Sequence, residues 1–454
     1  MAELALQLGR REPGTVTNGS WSAGALLYVS LHFTSQPPDS AARLFLLQLP
    51  STSSSSSSII RDTIATPDSD DGTYTLIHIP LDLYTTFLQP ILRVLVPQTQ
   101  RLHLGAGYRH DAEELDGLSE ENQHGFLNIS VTPLEASIVC HTSWAKNVFE
   151  PVISKLSAQQ AKSVSVFADS YMVLSVIGAG LDAATRVLEL SSPLALAGIP
   201  IFFITTYYSD FILAPTRERQ NVVAALRERG FEMSENQSNF VSSPTYSRKN
   251  SASHHSSSPP STPPPSNDNE LQLRTFDLLH KRSVSPYVDE DLELVQCSGR
   301  EISQLADAYG HRSSISRHTV TDNRQSWIEN VDTKLYASLI SVLVSQPRFI
   351  SITLAHEDPP SLLMDKNLLG LFSDSLVGDM DNILIPIFLD LVNLPSEVTG
   401  IVCGVSGRLV DDMQMKATSE LSYLSTARAG VVILPEEQST RALSILKPLL
   451  EKDD

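Results

Sequence analysis

Two blocks of this chain return, in the same order, at almost one spacing. ISVT at Ile129–Thr132 comes back as ISIT at Ile350–Thr353, a shift of 221 (350 less 129). ITTYYSDFILAP, from Ile204, comes back as LSTARAGVVILP, from Leu424, a shift of 220 (424 less 204). Between them SIVC at Ser137 is matched by SLLM at Ser361. One block arises readily by chance. An ordered pair at a nearly common shift predicts a duplicated unit. In the second block Thr206 falls on Thr426, Pro215 on Pro435, and Asp210 on Gly430.

The elements inside the first copy alternate. YMVLSVI (Tyr171–Ile177) reads as a buried strand, and LDAATRVLELSSPLALAG as a helix ending near Gly198. IPIFFITT and FILAP are two more strands. TRERQNVVAALRERG is a helix, with Thr216 as N-cap and Gly230 as C-cap, and FEM starts a last strand. The order is strand–helix–strand–strand–helix–strand, the ferredoxin-like split unit, so the fold class is α+β. Only YYSD, Tyr207–Asp210, separates the middle strands, which allows a hairpin and forbids a crossover. Asp210 then reads as a turn-former, and Gly430 as its counterpart that tolerates positive φ.

A Ser/Pro/Asn-dominated stretch, Ser234 to Asn269, reads as a disordered linker between the copies, because it cannot bury enough apolar surface to offset its ordering entropy. The serine tract from Ser51 and GHRSSISRHTVTDNRQS from Gly310 read the same way. Serines beside basic residues, in RKNS ending at Ser251, KRSVSP (Lys281–Pro286) and RSSIS (Arg312–Ser316), are expected phosphorylation targets in flexible chain.

The 454 residues are 41% apolar, enough for a sizeable core. With 33 Lys+Arg against 52 Asp+Glu the net charge is −19, which disfavours nucleic acid as a partner. Cys140, Cys297 and Cys403 lie far apart, with neither disulfide nor metal spacing. No apolar run approaches the ~20 residues that span a bilayer. The expectation is a soluble, cytoplasmic protein without a membrane partner, metal or cofactor.

Chemistry-bearing motifs are few. GAGLDA (Gly178–Ala183) fits G-x-G-x-x-A, but the hairpin that follows is wrong for a dinucleotide fold, so a tight strand-to-helix turn is the better reading. Asp210 reads first as a turn-former and second as an anchor for an amino or guanidino group. Arg428, in the matching hairpin, is either solvated or an anion partner. His254 and His255 lie in the linker with no further ligands. No catalytic set stands out, and a non-catalytic protein is expected.

At these residues the chain resembles a known family. YMVLSVI with SPLALAGIPIFFITTYYSDFILAP resembles the second ACT domain of the CASTOR family, cytosolic arginine sensors upstream of the TOR kinase complex. FLNISVTPLEASIVC resembles that family's segment between its first helix and second domain, and TGIVCGVSGRLV with LSTARAGVVILPEE its last ACT domain. The resemblance covers roughly Thr73 to Lys447 without the linker. It implies four tandem ACT domains in two pairs: 73–150, 151–233, 270–372 with a flexible insert at about 300–328, and 373–454. Residues 1–72 are an extension without a counterpart.

The resemblance also implies a ligand site between the second and fourth domains. One wall is Pro200 and Ile201; the other is Val398, Thr399 and Gly400, then Thr426, Ala427, Arg428, Ala429 and Gly430. Here the chain departs from the sensor. Gly430 stands where the family has a carboxylate, Val398 where it has an acidic side chain, and Ala427 and Ala429 where it has aromatic residues. A guanidinium entering this site would lose its hydration unpaired, at a cost of several kcal/mol. The expected ligand is a smaller or acidic amino acid rather than arginine. The implied partner is a protein complex upstream of TOR kinase, with homodimerisation expected from the family. The alternative is a scaffold of the same fold whose pocket is filled by its own side chains.

Overall fold

The computed structural model describes residues 43–46, 73–96, 124–177, 183–233, 265–300, 332–355, 358–395, 397–416 and 419–451. The stretches 234–264 and 301–331, with the sites at Ser251, His254, His255 and RSSIS, lie outside them, as do the serine tract and Gly178–Asp182 of the glycine motif.

Four βαββαβ units follow one another. The first runs from β2 (Tyr74–Ile79) through the Tyr84–Leu95 helix, β3 (Phe126–Val131) and β4 (Ala136–His141) to helical turns and β5 (Ser165–Val166). The second has β6 (Tyr171–Ile177), the Arg186–Leu196 helix, β7 (Phe202–Thr205), β8 (Asp210–Pro215), the Arg219–Glu228 helix and β9 (Glu232–Met233). The third has β11 (Leu294–Gly299), the Thr333–Val344 helix, β12 (Ile350–Ala355), β13 (Ser361–Asp365), a 3-10 helix and β14 (Leu376–Val377). The fourth has β15 (Leu384–Asp390), the Ile401–Met413 helix, β16 (Ser422–Ser425), β17 (Ala429–Pro435) and the Glu436–Leu450 helix.

Within each unit the strands are antiparallel, with the first strand beside the third. The units then join edge to edge. β3 pairs with β12, and β7 meets β16. At the corners β2 also touches β6 at Tyr74↔Tyr171, and β11 touches β15 at Leu294↔Leu384. Twelve strands thus close into a flattened ring, which leaves no long unpaired edge within it.

The joins reveal the duplication as a two-fold relation. Ser130 pairs with Ser351, its own equivalent at the 221 shift, and their hydroxyls lie 2.9 Å apart. Ile204 pairs with Leu424, its equivalent at the 220 shift. Flanking them, the Phe203 amide donates to Ser425 Oγ (2.9 Å) and the Tyr423 amide to Thr205 Oγ1 (3.1 Å), the same bond made twice. This is the isologous geometry of a dimer, written into one chain.

Burial explains why the strands read as continuous apolar runs rather than alternating ones. Side chains inside the ring, among them Tyr74, Phe126, Phe211, Phe388 and Val431, form one core between the flattened walls. Phe126 and Phe211 meet there with ring centroids 5.0 Å apart. Outward-facing side chains pack under helices, in one cluster over the first and third units and another over the second and fourth. Each fully buried Leu or Phe contributes about 1.5–3 kcal/mol of transfer free energy. The three cysteines are free and buried. Among the described residues no helix is long and apolar enough to cross a membrane.

Several sequence expectations shift. The first unit continues past 150 to Val166, because β5 is needed beside β2 to complete its sheet. The segment before the third unit does not belong to it. The Asp268–Lys281 helix packs on the Ile401–Met413 helix, and β10 (Pro286–Tyr287) pairs with β15, the place a closing strand of the fourth unit would take. β1 (Arg43–Leu46), assigned to the N-terminal extension, pairs with β6 in the same manner. KRSVSP is the turn between that helix and β10 rather than flexible chain, though Ser283 and Ser285 are exposed. Thr216 opens a 3-10 turn without a side-chain cap bond, and the α-helix starts at Arg219. Gly230 does close that helix, at φ 87°.

Candidate functional site

At the β7/β16 join, beneath the helices, lies a cavity of about 400 Å³. Pro200 and Ile201, just before β7, form one side, with Ser191 and Ala195 of the Arg186–Leu196 helix. Val398, Gly400 and the first turn of the Ile401–Met413 helix form the second side. Thr426, Ala427, Arg428 and Ala429 of the β16–β17 hairpin form the third, and Ser165–Ala168 close the end. Of the ten residues expected from the sequence, these are eight. Thr399 and Gly430 are not in the wall.

Gly430 is instead a strand residue, opposite Leu389 on one side and Ser425 on the other. Its φ is not positive, so the turn argument for glycine fails. The reason is space. A Cβ there would lie 2.3 Å from Tyr423 Oη. Tyr423 has 1% of its surface exposed, it lines the cavity, and its hydroxyl has no hydrogen-bond partner among the described residues. Burial pushes its ionisation well up, so it stays a neutral donor.

Asp210 is likewise a strand residue, paired with Thr205 and Val176, and fully buried. It does hold a guanidino group, but the chain's own: Arg186 Nε, from the first turn of the neighbouring helix, pairs with Asp210 Oδ2. Burial outweighs the opposing pull of Arg186 and the nearby Thr205 hydroxyl, and raises the Asp210 carboxyl from 3.8 to about 6.

Gly400 opens the Ile401–Met413 helix at φ 84°, a conformation that favours glycine, and offers no side-chain cap. A Cβ there would also strike Leu271 at 2.6 Å. The amides of Ile401, Val402 and Cys403 are the orphan donors of this helix start, and all three residues line the cavity. Among the described residues Arg428 is the one charged side chain in the wall. Its Nη2 donates to Ser165 Oγ at 2.7 Å, and no carboxylate pairs with it among the described residues.

The hairpin is fixed from outside by a residue that sequence reasoning missed. Glu135, in the β3–β4 turn of the first unit, is 1% exposed. Its Oε1 accepts from Thr426 Oγ1 (2.5 Å) and the Arg428 amide (2.7 Å), and His78 Nδ1 lies 2.5 Å from its Oε2. The Thr426 hydroxyl is therefore committed to Glu135 and the hairpin rather than free for a ligand. Tyr423 was missed as well, although it aligns with Phe203 at the 220 shift and so adds a hydroxyl where the copy at 430 loses a side chain.

Residues 166–228, the second unit, match the ACT domain model. The chain contains an ACT domain. ACT domains are typically amino-acid-binding regulatory modules. The joined βαββαβ sheets fit a tandem arrangement of such domains. No curated protein matches the chain in sequence. Among solved structures it is similar to protein Atu0741 from Agobacterium tumefaciens, at 17% identity and TM-score 0.22, covering 43% of this chain and 92% of that one. It is also similar to aspartate kinase from Synechocystis, at 11% identity and TM-score 0.26, covering 84% of this chain and 55% of the kinase. Likenesses at these scores do not bear on ligand or activity.

Proposed function

We propose that this is a non-catalytic regulatory protein of tandem ACT domains that binds a small amino acid between its second and fourth units. Ligand binding would shift the balance between two docking states of a protein partner, by no more than its differential affinity for them. The resemblance to the CASTOR family makes that partner a complex upstream of TOR kinase. One observation carries the reading: the β7/β16 join encloses a cavity of about 400 Å³ whose wall contains eight of the ten residues that the resemblance marks. The cavity is open rather than filled by the chain's own side chains, which weighs against the scaffold alternative.

Arginine is a poor candidate. Among the described residues the wall offers no carboxylate, and Arg428 adds a like charge. Thermal-shift screening of the full chain against the twenty amino acids tests the reading. One saturable stabiliser is expected, worth about 2.7 kcal/mol at a hundredfold excess over its Kd. A flat screen favours the scaffold. Immunoprecipitation of the tagged chain, with and without that amino acid, then tests whether a TOR-linked partner is bound in a ligand-dependent way.

A further inference from the structure

We infer that the cavity takes an amino acid with a carboxylate side chain. This deepens the reading above and rests on it. The chain as a whole carries −19, yet among the described residues no Asp or Glu lines the cavity, and Arg428 is the single ion there. A guanidinium has five N–H donors. Arg428 spends one bond, from Nη2, on Ser165 Oγ, itself a wall residue. A ligand carboxylate supplies the missing counter-charge in a bidentate geometry.

The second observation is independent of the first. Tyr423, a wall residue of the same cavity, carries a buried hydroxyl without a partner among the described residues. Leaving such a group unpaired is costly, so native structures rarely keep one without a purpose. Gly430 keeps the space beside the hydroxyl clear, since any Cβ would collide with it. The third is the uncapped helix start at Ile401–Cys403, whose amides and dipole favour an anion. Arg428 and the helix start are thus two anion-attracting features, and Tyr423 adds a neutral donor. A neutral amino acid leaves one of the anion-attracting features without a carboxylate. Arginine or lysine meets a like charge and no acid. Aspartate or glutamate presents two carboxylates and, at net −1, neutralises Arg428.

Isothermal calorimetry on the full chain tests this with L-aspartate, L-glutamate, their amides L-asparagine and L-glutamine, L-arginine, and succinate. One acidic amino acid is expected to bind at least about tenfold more tightly than its amide, as for hydrogen bonds to charged groups. Succinate keeps both carboxylates and lacks the ammonium, so its binding measures the two carboxylates alone. Arg428→Gln should abolish the acid-over-amide preference, while Arg428→Lys keeps it at lower affinity. Tyr423→Phe should weaken binding by about threefold to tenfold without lowering the melting temperature. An amide, arginine or succinate binding more tightly than both acids overturns the ligand class and leaves the cavity's role as a small-molecule site intact. Silence from all twenty amino acids in the thermal screen overturns the amino-acid reading itself.

Discussion

The β7–β8 and β16–β17 hairpins descend from one plan and have resolved the same position in opposite ways. Asp210 and Gly430 are equivalents at the 220 shift, and both sit on the strand after the hairpin. In the second unit a carboxylate is buried there and ion-paired with Arg186 from the adjacent helix. In the fourth the side chain is deleted, and the hydroxyl of Tyr423 moves into the freed volume where Phe203 has none. The first solution is closed: cation and anion are both internal. The second is open: Arg428 and Tyr423 line the cavity, and the Tyr423 hydroxyl has no partner among the described residues. A duplicated fold can in this way keep one copy as an ion-paired strut and leave a cavity at the other.

The largest effect should come from unpairing the closed copy. Arg186→Met leaves Asp210 ionisable, buried and alone. Loss of one partner of a buried pair costs about 3–5 kcal/mol. Urea unfolding should show it, and adding Asp210→Leu should recover most of it. If Arg186→Met costs under about 1 kcal/mol, the two hairpins do not differ as described.

A pH titration probes the same pair from the other side. The folded-state value of Asp210, about 6, lies above its ordinary 3.8. A raised folded-state pKa gives a contribution that is full below the ordinary value and is lost as pH rises through the folded one. Stability relative to Asp210→Asn should therefore fall between about pH 4 and 6, by on the order of 1–3 kcal/mol. A difference that is flat with pH means Arg186 keeps the carboxylate ionised throughout. No such step is expected from the fourth unit, which has glycine at this place.

The open copy is sharpened by a double-mutant cycle. Gly430→Ala places a methyl 2.3 Å from Tyr423 Oη and should cost about 1–3 kcal/mol, the usual range for overpacking. In a Tyr423→Phe background most of that cost should vanish. Equal costs in both backgrounds, by thermal denaturation, would mean that glycine is needed for some reason other than the hydroxyl.

What was legible in the sequence follows from which forces are local. The hairpin was readable because four residues cannot make a crossover, and the strand order because each unit repeats one pattern. The position of Asp210 was not. Whether an acid after a hairpin sits in the turn or enters the strand depends on a partner, Arg186, that lies on another element. The role of Gly430 was misread for the same reason: its neighbour Tyr423 is on the opposite strand, and only packing shows the contact. Glu135 lies 291 residues from Thr426, beyond any local signal. The joins were half-visible. A common shift implied duplication, but pairing of each strand with its own equivalent is a property of the folded two-fold.

The smallest expected effect separates structure from function most cleanly. Each hairpin hangs on a serine of the opposite half. The Tyr207 amide donates to Ser361 Oγ (2.9 Å), and the Ala427 amide to Ser137 Oγ (3.0 Å). Both serines are buried. Ser361→Ala and Ser137→Ala should each cost about 1 kcal/mol, the net worth of one such bond. By stability the two variants should look alike, because the bonds are two-fold mates. By ligand affinity they should not. Ala427 and Arg428 line the cavity, so loosening that hairpin displaces the arginine. Tyr207 does not line it, and its hairpin is tied at Asp210 to an internal pair. Ser137→Ala should therefore weaken amino-acid binding by a few-fold, consistent with about 1 kcal/mol, while Ser361→Ala leaves it unchanged. Equal losses in both would show that the two copies share one ligand-responsive frame rather than dividing the work.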